Sequence, residues 1–600
     1  MRPEHCVGRR AESSNRLFAA SAVVTSRCGV VSYSQPASAA NIRTSVLRQA
    51  ICPPEAWTRA SALSFAHVLA RRARVLLAAL AIAIPASARA QHPLAALPFD
   101  DPAYDVLEGL VRTGCAPARV SAYRPFLVRD VRAALAAADS DRFCAPALVS
   151  GLRDRFTPDT LDLFNDGEGA FSGGAALTVR ATQLSNGEFR PLWRGIRPKE
   201  EGDPAASATA RARVSWGGRK LFAVAEGVAY THRRNEPSIR QRALRNTGGA
   251  VDFGESYFNA QLAKPFTLTF GRGNVAWLGE GRESLLLSAW GPMLDRIALA
   301  ARWNRVEARA LYGSVSDVEL TPALDSVPVA AAHYYRYIVA HALTFRATRG
   351  LELTLGESAI LARGTRTLDL AYANPLMAYV VTQNDTARSG PDENLQIFGA
   401  LRAHAGAASV QAELLVDDVQ IDPKDRKTVQ DQLAWSLRGS QALPLWVPAA
   451  VTAEYRHINS YTYLRNRYAT AYQTYDQPLG SELGPDADMW RVGGELWPGA
   501  VLRLSGGAGM WRQGAQRLEQ RPGQNSNGHA GEPYPSVTAA RPFVQSALLA
   551  DAAIAYLARP LTLTLRAEGA HATHPGNQSA APAASYVRIQ LIGTYAYRIP

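Results

Sequence analysis

Residues 561–568 read LTLTLRAE, and this alternation decides the fold. Successive side chains of a β-strand point to opposite faces, so the Leu and Ala side chains share one face while Thr, Arg and Glu share the other. Alternation of this kind is typical of a sheet with one apolar and one polar face. Here the polar face carries bulky charges and the apolar face is aliphatic, with Tyr and Trp near strand ends, as a lipid-facing barrel with a wet interior requires. The same pattern recurs at residues 306–310, 410–414 and 587–591.

The lengths of the links between such segments are the stronger signal. We predict about eighteen strands, joined alternately by short turns such as Pro498-Gly499 and by long loops such as 460–488, which is the pattern of bacterial outer-membrane barrels. An even number of strands leaves both ends of the barrel on the short-turn side, the periplasmic side of such proteins. The sequence thus predicts an all-β fold, a transmembrane antiparallel β-barrel over residues 166–600. The predicted strands lie near residues 172–183, 208–217, 219–231, 252–263, 265–271, 294–304, 305–314, 335–346, 351–360, 393–404, 407–418, 430–440, 448–459, 489–497, 500–512, 545–558, 560–571 and 585–597.

A convincing helical period is confined to residues 100–156. Apolar residues recur at helical spacing over residues 104–111, after an Asp-Asp-Pro sequence that favours a helix start. The same period predicts two further helices, over about 125–138 and 146–156. We therefore expect a small periplasmic helical bundle in residues 91–165, ahead of the barrel.

Residues 71–90 have the order of a secretory signal. A cationic RRAR patch precedes the apolar run 75–84, and a small-residue Ala-Arg-Ala site follows, ending at Ala90. The apolar run is shorter than the roughly 18 residues that a transmembrane helix needs. We therefore predict that residues 1–90 are a non-mature leader with its signal peptide at about 71–90. Because no Met lies between Met1 and Met293, the sequence leaves the true start codon open.

The basic charge of the chain is concentrated in that predicted leader. The formal net charge is +13, yet residues 1–90 hold 12 Arg against 3 Glu, which leaves 53 basic and 49 acidic side chains for the rest. A nearly balanced body argues against a nucleic-acid partner.

Cys115 and Cys144 are the cysteines that remain beyond the predicted leader. In an exported chain we expect a disulfide between them, which would close a loop of about 30 residues worth ~3 kcal/mol in the chain-entropy model. Two buried free thiols are the alternative, and spacing alone does not choose between them.

Two regions carry a resemblance to a known family. The first is residues 271–303, with the Gly271-Arg272-Gly273 turn, Trp277 and the run SLLLSAWGP that leads into a strand. The second contains HYYRYIVAH, GLELTLGES, YANPL, DEN and ELLVDD in that order, between residues 333 and 418. In their order and spacing these segments resemble the capsule-assembly Wzi family, over residues 95–600 and most specifically over 266–420.

The resemblance implies an outer-membrane barrel of eighteen strands with an N-terminal periplasmic helical bundle. It also implies a protein that holds capsular polysaccharide at the cell surface, acting as a lectin and not as an enzyme. Independently, the sequence contains no G-x-S-x-G, H-E-x-x-H, P-loop or Cys-x-x-Cys motif. We therefore expect no catalytic activity, no cofactor and no bound metal.

The long loops hold the candidate ligand-binding residues. Sugars stack on flat aromatic faces, and acidic sugars add a need for guanidinium groups. The alternatives are Arg that binds lipopolysaccharide phosphates and Tyr that belongs to the interfacial aromatic girdle. The candidates are Trp193, Arg194, Arg233, Arg234, Trp277, Tyr461, Tyr463, Arg465, Arg467 and Tyr472.

The sequence favours a non-enzymatic outer-membrane barrel that binds or anchors capsular or surface polysaccharide through these loops. The alternative is a porin-type channel for sugars or other small solutes. Inward charges of both signs, such as Glu307, Arg309 and Glu413, suggest a cross-linked and partly occluded interior, but whether the lumen is open or plugged stays undecided. We expect a monomer in the outer membrane of a Gram-negative-type bacterium, in contact with lipid and lipopolysaccharide and not with nucleic acid.

Overall fold

An antiparallel sheet that closes on itself makes up most of the described chain. Each strand pairs with the next barrel strand along the chain, and β2 (Ala170–Leu184) closes the ring against β24 (Ala584–Ile599). The other barrel strands are β3 (Ala206–Gly218), β4 (Leu221–Tyr230), β5 (Ala250–Phe253), β6 (Ser256–Gln261), β7 (Phe266–Gly273), β9 (Leu294–Arg302), β10 (Val306–Ser314), β11 (Val318–Leu320), β12 (Ala332–Arg346), β13 (Leu351–Arg363), β14 (Glu393–Ala405), β15 (Ala408–Asp418), β16 (Gln432–Leu443), β17 (Ala449–Ile458), β20 (Ala487–Leu496), β21 (Leu502–Gln513), β22 (Gln545–Tyr556) and β23 (Leu561–Thr573).

These segments make an 18-stranded barrel. β5 and β6 both pair with β4 and form one interrupted strand, while β11 extends the edge of β12 beyond β10. Four short strands lie off the barrel and form two small sheets of two strands each. They are β1 (Tyr123–Arg124), β8 (Ala276–Trp277), β18 (Gln473–Thr474) and β19 (Gln477–Pro478). The predicted fold class is confirmed, and each predicted strand overlaps one position of the barrel.

The computed structural model describes residues 92–115, 122–138, 144–156, 170–185, 206–231, 249–279, 283–289, 291–320, 332–383, 393–419, 431–464, 468–475, 477–516, 518 and 544–599. The chain divides into two compact units, Met1–Ile82 and Ala83–Pro600, and every described residue belongs to the second. The predicted leader therefore lies outside the described residues.

Aliphatic side chains cover the outside of the barrel. Leu343, Leu355 and Leu548 are 55%, 66% and 60% exposed, although they sit in the middle of paired strands. Their neighbours Thr344 and Thr354 are buried on the opposite, inner face. Water penalises exposed apolar area by about 25 cal/mol per Å², so an outer face of this kind requires an apolar surrounding. The alternation predicted for a lipid-facing barrel is present.

Aromatic side chains mark both rims of this apolar surface. Trp435 and Tyr455 lie on neighbouring strands near the long loops, with ring centroids 4.8 Å apart, and Tyr455 stands opposite Trp490. Trp303 and Phe345 lie near the short turns and are also exposed. Two aromatic girdles flanking an aliphatic band are typical of membrane-spanning barrels, because amphipathic rings favour the interface.

Among the described residues, three helices precede the barrel: α1 (Ala103–Arg112), α2 (Val128–Ala138) and α3 (Pro146–Phe156). They lie at the positions that the sequence period predicts, and we call residues 92–156 the cap. Cys115 and Cys144 form a disulfide within it. Among the helices of the described residues, none is both long and apolar enough to cross a membrane.

The cap packs on the short-turn end of the barrel. Trp497, from the turn between β20 and β21, is fully buried among the apolar residues of the cap. Gly109 allows this approach, because a Cβ there would lie 2.6 Å from the Trp497 ring. Beside it, Arg112 Nε donates to Glu495 Oε1 at 2.7 Å. The short-turn end is thus covered by helices that are bonded to the barrel wall.

Candidate functional site: the filled lumen and the long-loop end

Ion pairs cross-link the inner wall of the barrel. Glu307 is 1% exposed and accepts from Arg302 at 2.9 Å, from Arg309 at 2.6 Å and from Arg346 at 3.2 Å. Arg346 also bonds Glu352 at 3.0 Å. Buried carboxylates that are surrounded by guanidinium groups in this way stay charged without leaving an unpaired charge. The cross-linked interior expected from the sequence is confirmed for this part of the wall.

Within the part of the chain that the structure describes, three segments lie inside the barrel. They are residues 122–127 of the cap, the described residues of loop 274–293 between β7 and β9, and the described residues of loop 459–486 between β17 and β20. β1 from the cap pairs with β8 from loop 274–293, which sets Tyr123 opposite Trp277. Loop 274–293 in turn meets loop 459–486, where Ser288 N donates to Leu479 O at 2.8 Å. The three segments form one continuous insert, which we call the plug.

The plug shares a single apolar core with the barrel wall. Leu285, Leu286 and Leu287 are at most 2% exposed, and they belong to the same buried cluster as wall residues from β12 to β17. Ile338 and Phe398 are examples of these inward wall residues. Contact between apolar side chains of the plug and the wall fills much of this half of the lumen.

Tyrosine hydroxyls tie the two loops of the plug together. Tyr463 Oη donates to Leu285 O at 2.5 Å, and Tyr472 Oη donates to Leu286 O at 2.9 Å. The rings of Tyr463 and Tyr472 stack with their centroids 5.5 Å apart. Each buried carbonyl of loop 274–293 thereby gains a donor, as buried polar groups require.

A buried arginine on β12 fixes loop 459–486 to the wall. Arg336 is 1% exposed, and its guanidinium donates to Ala469 O at 2.5 Å, Ala471 O at 2.5 Å and Gln473 O at 3.0 Å. A planar guanidinium offers five donors in a fixed fork, so it can satisfy several backbone carbonyls at once. Hydrogen bonds from Arg336, and not only apolar contacts, therefore hold loop 459–486 against the wall.

Charged wall residues fix loop 274–293 in the same manner. Glu413 on β15 accepts from Leu285 N at 2.9 Å and from Ser284 Oγ at 3.2 Å. Arg456 on β17 donates to Glu283 at 3.0 Å. On the same strands, Gln411 donates to Glu413 at 3.0 Å and Glu454 pairs with Arg456, so both wall residues belong to polar groups that hold the plug.

The structure buries four of the candidate ligand-binding residues. Trp277 and Tyr461 are 3% and 4% exposed, and Tyr463 and Tyr472 are fully buried. All four belong to the plug, where other protein atoms cover their rings. This corrects the expectation that they offer exposed faces to a sugar, because the hydroxyls and rings already have partners inside the barrel.

The other candidate ligand-binding residues, Trp193, Arg194, Arg233, Arg234, Arg465 and Arg467, lie outside the described residues. Sequence reasoning missed Arg336 and Tyr123, which position the plug. Arg336 could have been found, because it falls in register with Ile338 and Ala340 on the inner face of β12. The partners of Tyr123 could not, since β1 and β8 are only two residues long and far apart in sequence.

A cavity of about 90 Å³ lies beside the plug, against strands β20 to β24. Arg491 forms a bidentate ion pair with Asp551, with an Nη2–Oδ1 distance of 2.8 Å. Nearby, Arg566 bonds Glu568 at 3.0 Å. Both ion pairs line the cavity together with apolar residues such as Leu549.

Asp101 links the helices of the cap to the barrel through ion pairs. Its carboxylate pairs with Arg155 of α3 and, at 2.5 Å, with Arg559 of the turn between β22 and β23, and it also accepts from Ala103 N at 2.8 Å. Burial alone would raise the pKa of Asp101, but the guanidinium groups of Arg155 and Arg559 hold it well below its usual range. The carboxylate therefore stays ionised while it joins the helices to the barrel.

No model of a known protein family matches the chain, and no curated protein matches it. Among solved structures, the chain is similar to Wzi of Escherichia coli, described as an outer membrane protein involved in group 1 capsule assembly and a carbohydrate-binding β-barrel. That match has 11% identity, a TM-score of 0.49 and coverage of 81% of this chain and 97% of that one. The chain is also similar to OccD3 (OpdP) of Pseudomonas aeruginosa, with 12% identity, a TM-score of 0.42 and coverage of 72% and 92%. The outer membrane protein OprD of the same organism matches with 11% identity, a TM-score of 0.40 and coverage of 72% and 94%. With identity this low, function has to be argued from the residues of this chain.

Proposed function

We propose that this protein is a non-enzymatic outer-membrane β-barrel that binds or anchors capsular or surface polysaccharide through its long loops. The observation that carries the proposal is the plug. A diffusion channel needs a continuous water-filled path through its lumen. Here the half of the lumen next to β10–β17 is packed with buried Leu and Tyr side chains, and the short-turn end is covered by the cap.

In the proposed orientation the cap and the short turns face the periplasm, and the long loops face the outside of the cell. Outer-membrane barrels keep their short turns on the periplasmic side. The disulfide between Cys115 and Cys144 fits the same side, because the periplasm is an oxidising compartment.

The proposed ligand sites are the basic and aromatic long loops. Trp193 and Arg194 lie in one of these loops, Arg233 and Arg234 in the next, and Arg465 and Arg467 in loop 459–486. Guanidinium groups pair with the carboxylates of acidic sugars, and an indole ring offers a face for stacking. The resemblance of residues 266–420 to the capsule-assembly Wzi family supports a polysaccharide as the ligand.

A porin-type channel for sugars or other small solutes is the second candidate function. The observation in its favour is the cavity beside β20–β24, next to the plug. The ion pair between Arg491 and Asp551 lines this cavity. The two functions differ in the steady ion conductance of the purified protein.

Binding of purified cell-surface polysaccharide tests the leading proposal. We expect the purified protein to retain the polysaccharide and the double variant Arg465→Ala/Arg467→Ala to lose most of that binding. The matched control is Arg219→Ala/Arg349→Ala, which removes two exposed arginines from short turns and should bind like the original protein. Equal binding by both double variants would refute the assignment to loop 459–486. Polysaccharide that stays on cells after gene deletion would refute the anchoring role.

A further inference from the structure

Residues 364–383, between β13 and β14, fold back onto the outside of the barrel, and we call this segment the outer flap. It contains two short helices, α4 (Leu370–Ala373) and α5 (Tyr379–Gln383). Tyr372 and Tyr379 of the flap form a buried cluster with Val339, Ala359 and Leu361. These three strand residues point outward, because Ala340 and Ile360, which follow Val339 and Ala359 in the chain, pack into the lumen cluster.

The outer flap covers ionisable groups that face away from the lumen. His341 and Glu357 are opposite each other on β12 and β13, with Nε2 and Oε2 3.5 Å apart. Tyr379 N donates to Glu357 Oε2, and the Tyr379 ring lies 4.3 Å from the His341 ring. Without the flap, this polar pair would lie on the membrane-facing surface, where charged groups are costly.

A second set of polar bonds anchors the edge of the flap. Arg363 Nη2 donates to Asp369 at 3.0 Å and to Glu393 at 2.7 Å, and Tyr372 Oη also donates to Glu393. Asp369 N approaches Tyr312 Oη at 3.5 Å. These contacts reach from β10 to β14, so the flap is fixed over a broad sector of the outer wall.

The surface that residues 370–383 of the flap present outward is mainly apolar, whereas the exposed Arg366 precedes them and approaches Asp317 at 3.5 Å. Leu370, Leu376 and Val381 are 74%, 93% and 61% exposed, and residues 370–383 contain no charged side chain. An exposed aliphatic patch on a soluble loop would be penalised by water. The other exposed apolar residues of the flap are Leu368, Met377 and Val380.

The backbone of the flap is satisfied from within. Ala373 N donates to Asp369 O at 2.9 Å, Met377 N to Asn374 O at 3.2 Å and Thr382 N to Ala378 O at 3.2 Å. The side chain of Asp369 accepts from Ala371 N at 3.2 Å. Non-helical backbone at membrane depth costs several kcal/mol for each unsatisfied group, so internal bonding of this kind is a condition for contact with hydrocarbon.

We infer that the outer flap lies in the hydrocarbon of the membrane leaflet on the long-loop side, with lipid acyl chains as its partner. Continuity selects this partner, because the exposed Leu343 and Leu355 of the lipid-facing wall stand two residues along their strands from His341 and Glu357. The flap thus covers polar residues of the wall and presents an aliphatic surface in their place. This inference rests on the membrane-spanning part of the proposed function and does not depend on polysaccharide binding.

A spin label on the flap tests the inference. In a protein that starts after the predicted leader, and so lacks Cys6, Cys28 and Cys52, Leu376→Cys is the single free cysteine, because Cys115 and Cys144 are joined to each other. In lipid vesicles, we expect collisions of the label with dissolved oxygen to dominate over collisions with a water-soluble nickel chelate. The ratio should match that of Leu355→Cys on the wall and exceed that of Arg349→Cys on a short turn several-fold.

Two results would overturn the inference. A ratio like that of Arg349→Cys would place the flap in water. Shielding from both reagents, with dipolar broadening between labels, would mean that a second copy covers the flap. If Leu355→Cys itself were exposed to the chelate, the membrane-spanning barrel of the proposed function would fail. A flap in water with Leu355→Cys in lipid would leave the proposed function intact.

Discussion

The plug and the outer flap are both made by long loops that fold back on the barrel, one inside it and one outside. Both contain runs of apolar residues, SLLLS in the plug and LMAYVV in the flap. Hydrophobicity alone therefore does not decide where a loop goes. The difference lies in the wall residues that bond each loop. Arg336, Glu413 and Arg456 of the lumen hold the plug, whereas Glu357, Arg363 and Glu393 of the outer face hold the flap.

The comparison predicts that single wall charges control the plug and leave the flap unaffected. The largest effect is expected from Arg336→Ala, which removes the donor from three buried carbonyls of loop 459–486. Each buried carbonyl without a donor costs about 1–3 kcal/mol, so we expect a loss of about 3–5 kcal/mol in the free energy of unfolding. Hydrogen exchange measured by mass spectrometry should become much faster in residues 468–475.

Arg349→Ala is the matched control for that experiment, because Arg349 is exposed on the turn between β12 and β13. Its hydrogen exchange should equal that of the original protein. Exchange in residues 370–383 of the outer flap should be the same in all three proteins. Unchanged exchange in residues 468–475 of Arg336→Ala would contradict the role given to Arg336.

A smaller effect is expected from Glu413→Ala. The variant leaves the buried Leu285 N without its acceptor, which costs about 1–3 kcal/mol, while Ser284 Oγ keeps Trp277 O as an acceptor. Hydrogen exchange measured by mass spectrometry should rise in residues 283–289 and stay constant in residues 370–383. Glu319→Ala is the control, since the Glu319 side chain is 82% exposed. An increase of the same size in the control would contradict the role of Glu413 in holding loop 274–293.

The smallest effect is expected in the cap. Through β1 the cap contacts the plug, and not the flap. The lowered pKa of Asp101 means that its ion pairs contribute their full stability above the ordinary carboxyl pKa of about 3.9. As the pH falls below that value, the unfolded state binds the proton more readily and the contribution shrinks. We expect the cap to loosen below about pH 4, with faster proteolysis between α1 and α3.

Asp101→Asn should remove this acid sensitivity, because the amide does not titrate in that range. The variant should be less stable than the original protein at pH 7 and should respond less to acidification. The same acid response in both proteins would contradict the assignment to Asp101.

The strands could be predicted because their signal is local. Alternation in stretches such as residues 561–568 fixes which face each side chain occupies, and β23 (Leu561–Thr573) follows it. The interruption between β5 and β6, at Gly254 and Glu255, leaves no comparable mark in the alternation. The described helices were predictable for the same reason, since α1 carries its apolar residues at helical spacing.

The candidate site was harder to predict because its partners are distant in the chain. Tyr463 bonds a carbonyl 178 residues away, at Leu285. A loop rich in Tyr and Arg has the same composition whether its rings meet a sugar or the plug, so the sequence placed Tyr463 and Tyr472 on the wrong side of the barrel mouth. The outer flap was not predicted for a similar reason, because its position depends on Glu357 and Glu393 of two different strands.

The central claim is that the plug closes the lumen, and conductance across a planar lipid bilayer tests it most directly. The purified protein should insert without producing a steady conductance, while an open porin recorded in the same bilayers gives stable steps. A variant in which residues 275–292 are replaced by a short Gly-Ser link should gain conductance. A large and stable pore in the original protein would contradict the plug and favour the porin-type channel.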